Sequence, residues 1–112
     1  MAAKIHLDQA LLSQVRHYQE NLTNAGIKAR LIIFGSQAKK KAKPWSDIDV
    51  CVVSDIFGKN RHTERVRLMR LTDEISLDIE PHPYHPKDLA DKWDPLAQEI
   101  RKYGVAWREA AP

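Results

Sequence analysis

The segment from Leu31 to Ser54 reads LIIFGSQAKKKAKPWSDIDVCVVS. Its two apolar runs, LIIF and VCVV, each predict a buried β-strand. The first run ends in Gly35-Ser36, and Asp47-Ile48-Asp49 opens the second run after ten intervening residues. A flexible turn is therefore expected at the end of the first strand, and two carboxylates are expected at the start of the second.

The two aspartates predict a metal site. Asp47 and Asp49 are two residues apart on a strand, so both side chains leave one face, while Ile48 and Val50 enter the core on the other. Two ionised carboxylates this close repel each other unless a cation lies between them. Magnesium prefers such oxygen ligands, together with phosphates and waters.

The Gly-Ser turn predicts a phosphate site beside that metal. Gly35 allows a close backbone approach that a Cβ would block. Ser36, opening a short helix or turn over 36–42, can offer a hydroxyl and an N–H to phosphate oxygens. Lys39 and the other lysines of the run, at 40, 41 and 43, could balance polyphosphate charge. The chain has no Gly-x-Gly-x-x-Gly and no Gly-x4-Gly-Lys-Ser/Thr, which removes the Rossmann and P-loop alternatives.

Length and composition restrict the class of protein. The 112 residues, 43% hydrophobic and 29% charged, predict one soluble globular domain over 1–112. We expect no membrane span and no signal peptide, because no apolar run approaches about 20 residues. A net charge of +3 argues against a dedicated nucleic-acid binder. With one cysteine, Cys51, an internal disulfide is impossible, so a reducing cytoplasm is expected.

Apolar periodicity and turn residues predict a small mixed sheet with helices packed mainly on one side, an α/β (α+β) fold. The apolar side of the second helix is expected to contain Val66, Met69, Leu71 and Ile75. The predicted elements are helix 8–24 with an Asp8 N-cap and a Gly26 stop, strand 27–34, strand 47–53, loop 55–60, helix 63–75, strand 76–80, a rigid extended segment 81–86, helices 86–92 and 95–103, and an edge strand 105–107.

Several other side chains are assigned simpler roles. His82 and His85 fall short of a four-ligand zinc site and are expected at the mouth of the site or on the surface. Cys51 shares the aspartate face, where a small packed residue is favoured over a nucleophile. Trp45 could stack on a base or a partner. Packing is expected for Trp93 and Trp107, and a solvated helix face for the arginines at 61, 65, 67 and 70.

The Gly-Ser turn, the ten-residue spacing and Asp47-Ile48-Asp49 resemble the signature of polymerase-β-like nucleotidyltransferases. The short chain resembles their minimal nucleotidyltransferase (MNT) branch. This resemblance implies a palm-like core, ATP as donor and two magnesium ions. It also implies Gly35, Ser36 and Lys39 at the triphosphate, and Asp47 and Asp49 as catalytic metal ligands.

The family's third carboxylate, a metal ligand and general base, lies on a neighbouring strand. Glu80 and Asp78 both qualify. Glu80 is preferred because Ile79-Glu80-Pro81-His82-Pro83 resembles the family's strand end, and Asp78 is the alternative or a supporting residue.

The resemblance also implies a partner. Many MNT proteins are encoded beside a HEPN-domain toxin and act as type VII antitoxins, some by transferring AMP to a toxin tyrosine. Two alternatives stay open: a non-catalytic antitoxin that works by contact, and a small-molecule (antibiotic) nucleotidyltransferase, although those enzymes carry an extra helical domain that these 112 residues lack. A homo- or hetero-oligomer is compatible with the small size.

Overall fold

The computed structural model of the chain describes residues 9–38, 47–75 and 78–107. Its elements occur in the order α-β-β-α-β-α-α-β. Their bounds are α1 Gln9–Asn24, β1 Arg30–Phe34, β2 Ile48–Val53, α2 Arg61–Arg70, β3 Ile79–Tyr84, α3 Pro86–Leu89, α4 Pro95–Tyr103 and β4 Val105–Ala106. The predicted Asp8 cap and the lysine run lie outside the described residues.

The four strands form one mixed sheet in the order β3-β2-β1-β4. β1 is antiparallel to both β2 and β4, whereas β2 and β3 are parallel. A parallel pair needs a crossover connection, and α2 lies in the segment that joins β2 to β3. The sheet and its helices form the small mixed α/β fold that the sequence predicts.

Alternation along the strands divides the core between the two faces of the sheet. One face packs against the buried side of α1, which consists of Leu11, Val15, Tyr18 and Leu22. On the opposite face Cys51 and Val53 pack with Ala97 and Ile100 of α4. No helix within the described ranges combines the length and apolar character needed to cross a bilayer.

Hydrogen bonds satisfy carbonyl groups in the last turns of α1 and α2. Gly26 has a φ of 78° and follows α1, and the Ile27 N–H donates to Leu22 O at 2.9 Å, so the predicted glycine stop is confirmed. The Tyr18 hydroxyl donates to Leu68 O of α2 at 3.1 Å. These contacts satisfy carbonyls that a helix end leaves unpaired.

The predicted apolar side of the second helix was wrong at Val66 and Met69, whereas Leu71 and Ile75 pack against the core as predicted. The helix begins at Arg61 and ends at Arg70, and turns follow it over 71–75. Leu68 is its buried residue, while Val66 and Met69 are exposed. Asn60 provides the N-cap by accepting the Thr63 N–H, which explains the earlier start.

The boundary between the predicted strand 76–80 and the extended segment 81–86 was also wrong. Residues 76 and 77 lie outside the described part, and β3 continues through Pro81 and Pro83 to Tyr84. Proline is tolerated there because β3 is an edge strand of the sheet. The segment after β3 forms a shorter helix than predicted, and Trp93 beyond it is 80% exposed instead of packed.

Candidate active site

The site lies where β1 ends and where β2 and β3 begin. Phe34 pairs with Asp49 across the antiparallel strands, and Asp49 pairs with Glu80 across the parallel strands. Residues in one such row leave the same face of a sheet. The pairing therefore sets the Asp49 and Glu80 carboxylates side by side.

A third donor completes this cluster. Asp49, Glu80 and His82 each offer one ligand atom, and these atoms lie within 4.8 Å of one another. His82 Nε2 is 3.3 Å from Asp49 Oδ1. All three side chains are half-buried, so they are partly withdrawn from water but open to a ligand.

Gly35 leaves room for the Asp49 carboxylate. Its φ is +76°, a conformation that L side chains rarely adopt. A Cβ built there would overlap Asp49 Oδ2 and lie 3.3 Å from Asp49 Cγ. The turn and the carboxylate thus touch, and only glycine leaves this space open.

The other residues predicted for the site lie outside the cluster of Asp49, Glu80 and His82 or outside the described residues. Ser36 lies in the turn over 35–38 and is half-buried. Asp47 is exposed, lies one residue before β2 and is outside the three-residue cluster. Lys39 and Trp45 lie outside the described residues, as do the other residues of 39–46 and so the second half of the predicted turn over 36–42.

The two candidates for the third carboxylate are separated by the structure. Glu80 lies on β3 and belongs to the cluster. Asp78 lies in a turn before β3, is exposed, and accepts the Ile48 N–H through its backbone oxygen at 2.7 Å. Alternation along one strand therefore does not extend back to Asp78, and the geometry favours Glu80.

The carboxylate face becomes apolar beyond the cluster. Cys51 is fully buried in the second core cluster with Val53 and Tyr84. Burial raises the pKa of the Cys51 thiol to about 12, although the charges of Arg30 and Arg61 act in the opposite direction. The expectation of a packed residue rather than a nucleophile is confirmed, since a protonated thiol is a poor nucleophile.

His82 has a closer role than the sequence analysis gave it. It was expected at the mouth of the site, and it lies inside the donor cluster with its ring edge-on to Phe34 at a centroid distance of 5.1 Å. One feature of the sequence could have placed His82 in the site. It is two residues from Glu80, so both side chains lie on one face of the sheet if the strand continues through Pro81.

Comparisons with known proteins identify the family of this chain. A family model described as a nucleotidyltransferase domain matches residues 15–104. The chain therefore belongs to the nucleotidyltransferase domain family. A comparison with curated proteins finds no match.

Two solved structures share the fold. One is a protein from Sulfolobus solfataricus described as a candidate nucleotidyltransferase, with a TM-score of 0.55, 20% identity, and coverage of 92% of this chain and 89% of the other. The second is a toxin–antitoxin crystallised with AMP-PNP, with a TM-score of 0.53, 18% identity, and coverage of 88% and 74%. At these identities the similarity concerns the fold.

Proposed function

We propose that this chain transfers AMP from ATP, with magnesium, to a hydroxyl group of an acceptor protein. The single observation that carries the proposal is the contact between the Gly35 turn and a carboxylate that is paired with Glu80. A turn open to phosphate and a pair of metal-binding oxygens are the two requirements of nucleotidyl transfer.

The residues present fit a divalent cation. Asp49 and Glu80 supply carboxylate oxygens, and the absence of a side chain at Gly35 lets the Asp49 carboxylate lie against the turn. Asp49 and Glu80 would hold the metal, with Asp47 adding a carboxylate from the residue before β2. Bound magnesium supplies neutralisation of the phosphate charge.

The chain's own residues would then perform the positioning. The Gly35-Ser36 backbone and the Ser36 hydroxyl hold phosphate oxygens, and Lys39 balances their charge. The acceptor oxygen bonds to the α-phosphorus while the bond to the bridging oxygen breaks, and pyrophosphate leaves. Glu80 accepts the hydroxyl proton, directly or through one water.

The acceptor that we propose is a tyrosine of a HEPN-domain toxin, so that the chain acts as an antitoxin in the cytoplasm. Two things support this choice: the resemblance to MNT proteins, and the shared fold with a toxin–antitoxin that was crystallised with AMP-PNP. The half-buried donor cluster would be reached by a side chain on the surface of a partner protein.

The test is to incubate a HEPN protein encoded by a neighbouring gene with this chain, ATP and magnesium, and to measure the mass of the intact HEPN protein by mass spectrometry. We expect the partner to gain one or more AMP units. Asp49→Asn should abolish the gain, whereas Asp55→Asn, which alters an exposed carboxylate in the loop after β2, should leave it unchanged.

Each other outcome selects against the proposal. Inhibition of the toxin without added mass would favour an antitoxin that works by contact. Transfer only to small hydroxyl compounds would favour an antibiotic-type enzyme. Full transfer by Asp49→Asn would contradict the metal site itself.

A further inference from the structure

We infer that His82 is a direct metal ligand in this site and that it makes the site prefer a first-row transition ion such as Mn²⁺ over Mg²⁺. This inference rests on the proposed function, since it concerns the metal of the same site. It goes beyond it by adding a nitrogen donor to a site expected to contain oxygen donors only.

The distance between His82 and Asp49 fits two ligands of one ion, and it equally fits the hydrogen bond that the two side chains make without metal. Two donors bound to one ion at about 2.1 Å and at a right angle lie about 3 Å apart. His82 Nε2 and Asp49 Oδ1 are 3.3 Å apart. The Glu80 donor is within 4.8 Å of both, so a small movement of its side chain brings three donors around one ion.

The two oxygens of Asp49 are turned towards different neighbours. Oδ2 lies against Gly35, where a Cβ would overlap it, and Oδ1 faces His82. The His82 ring is itself held edge-on by Phe34, which pairs with Asp49 in the adjacent strand. The imidazole is thus oriented by packing on β1 and lies on the Oδ1 side of Asp49.

The donor set determines which ion is preferred. Carboxylate oxygens suit both Mg²⁺ and Mn²⁺, whereas imidazole suits first-row transition ions, for which affinity rises from Mn²⁺ along the row. Mn²⁺ is the weakest binder of that row, but it accepts a nitrogen ligand more readily than Mg²⁺ does. Two carboxylates with one imidazole leave further coordination positions open for phosphate oxygens or water. We therefore expect a site that accepts both ions but binds Mn²⁺ more tightly.

The test measures metal binding to the full chain rather than activity. Free Mn²⁺ is followed by electron paramagnetic resonance during titration with manganese chloride, and Mg²⁺ binding is obtained by competition. His82→Gln replaces the imidazole nitrogen by an amide. The matched control is His17→Gln, because His17 is an exposed histidine on α1.

We expect His82→Gln to weaken Mn²⁺ binding at least about tenfold, because loss of an outer partner alone costs 10- to 100-fold. Mg²⁺ binding should change by less than about threefold. The Mn²⁺ preference should therefore fall, and His17→Gln should retain it.

The possible failures are distinguishable. Equal Mn²⁺ binding by wild type and His82→Gln would overturn the role of His82 and leave the proposed function intact. Stronger binding of both ions by His82→Gln would also overturn it, because His82 would then be a competitor for Asp49. No binding of either ion by wild type, with or without ATP, would contradict the proposed function as well.

Discussion

Gly35 and Gly26 have similar backbone conformations but differ in the room available for a Cβ atom, so they can be compared directly. Both have a positive φ, +76° and +78°, but a Cβ at Gly35 would meet the Asp49 carboxylate, whereas a Cβ at Gly26 meets nothing within 4 Å. We expect each Gly→Ala change to cost about 1–2 kcal/mol of unfolding free energy from the left-handed backbone alone.

Only Gly35→Ala should also lose nucleotidyl transfer, because it displaces Asp49. Urea unfolding and a transfer assay on both variants check this. Equal activity of the two would show that the close contact between Gly35 and Asp49 has no catalytic importance.

The sequence places Gly35, Asp49 and Glu80 at or beside the ends of apolar runs, and the structure brings these three residues together. Asp47 belongs to the same predicted set but lies outside the cluster. His82 could not be predicted, because two flanking prolines suggested that the strand had already ended. Only the pairing of β3 with β2 shows that these prolines are inside the strand.

Asp94 joins α4 to β3 and should be a determinant of stability. It is the N-cap of α4, accepting the Leu96 and Ala97 N–H groups at 3.0 and 3.2 Å, and it accepts the Tyr84 hydroxyl at 2.9 Å. Asp94→Ala should cost about 1–2 kcal/mol. Asp73→Ala, at an exposed turn residue, should stay within about 0.5 kcal/mol in the same unfolding experiment.

The Asp94 contribution should depend on pH. Burial acts to raise the pKa of Asp94, but hydrogen bonds from Ala97, Tyr84 and Leu96 outweigh it, so this pKa lies below its ordinary 3.8. The stabilisation is present above pH 3.8 and is lost as pH falls through the lower, folded-state pKa. The gap between wild type and Asp94→Ala should narrow in acid, and a constant gap would contradict the charged cap.

The boundaries and buried face of α2 were harder to predict than the limits of β2. Apart from Asp49, β2 is an apolar run buried on both faces of the sheet, so its limits were nearly correct. In α2, four arginines surround the apolar positions, and tertiary contacts from Tyr18 and Asn21 of α1 determine which side is buried. Periodicity within one segment cannot contain that information.

A change at Glu80 should leave the stability of the metal-free chain intact while removing metal and nucleotide binding. Glu80→Gln removes one of two adjacent negative charges, so without metal we expect no loss of stability. Magnesium–ATP should stabilise the wild type by about 2.7 kcal/mol at 100 times its dissociation constant, and this gain should disappear in the variant.

Thermal melts with and without magnesium–ATP measure this, with Glu74→Gln as a control at an exposed glutamate in the turns after α2. A magnesium–ATP shift that persists in Glu80→Gln would remove Glu80 from the metal site.

The prolines of β3 also affect how the chain meets other chains. The backbone oxygens of Asp78 and Tyr84 accept hydrogen bonds from the Ile48 and Ser54 N–H groups of the β2 side. The backbone N–H and C=O groups of even-numbered β3 residues therefore point towards β2, and those of odd-numbered residues point away from the sheet. Pro81 and Pro83 occupy outward positions and have no N–H to donate. A foreign strand would find acceptors there but few donors, which protects this edge from intermolecular β-pairing and aggregation. A partner would therefore have to bind through side chains, not by extending the sheet at β3.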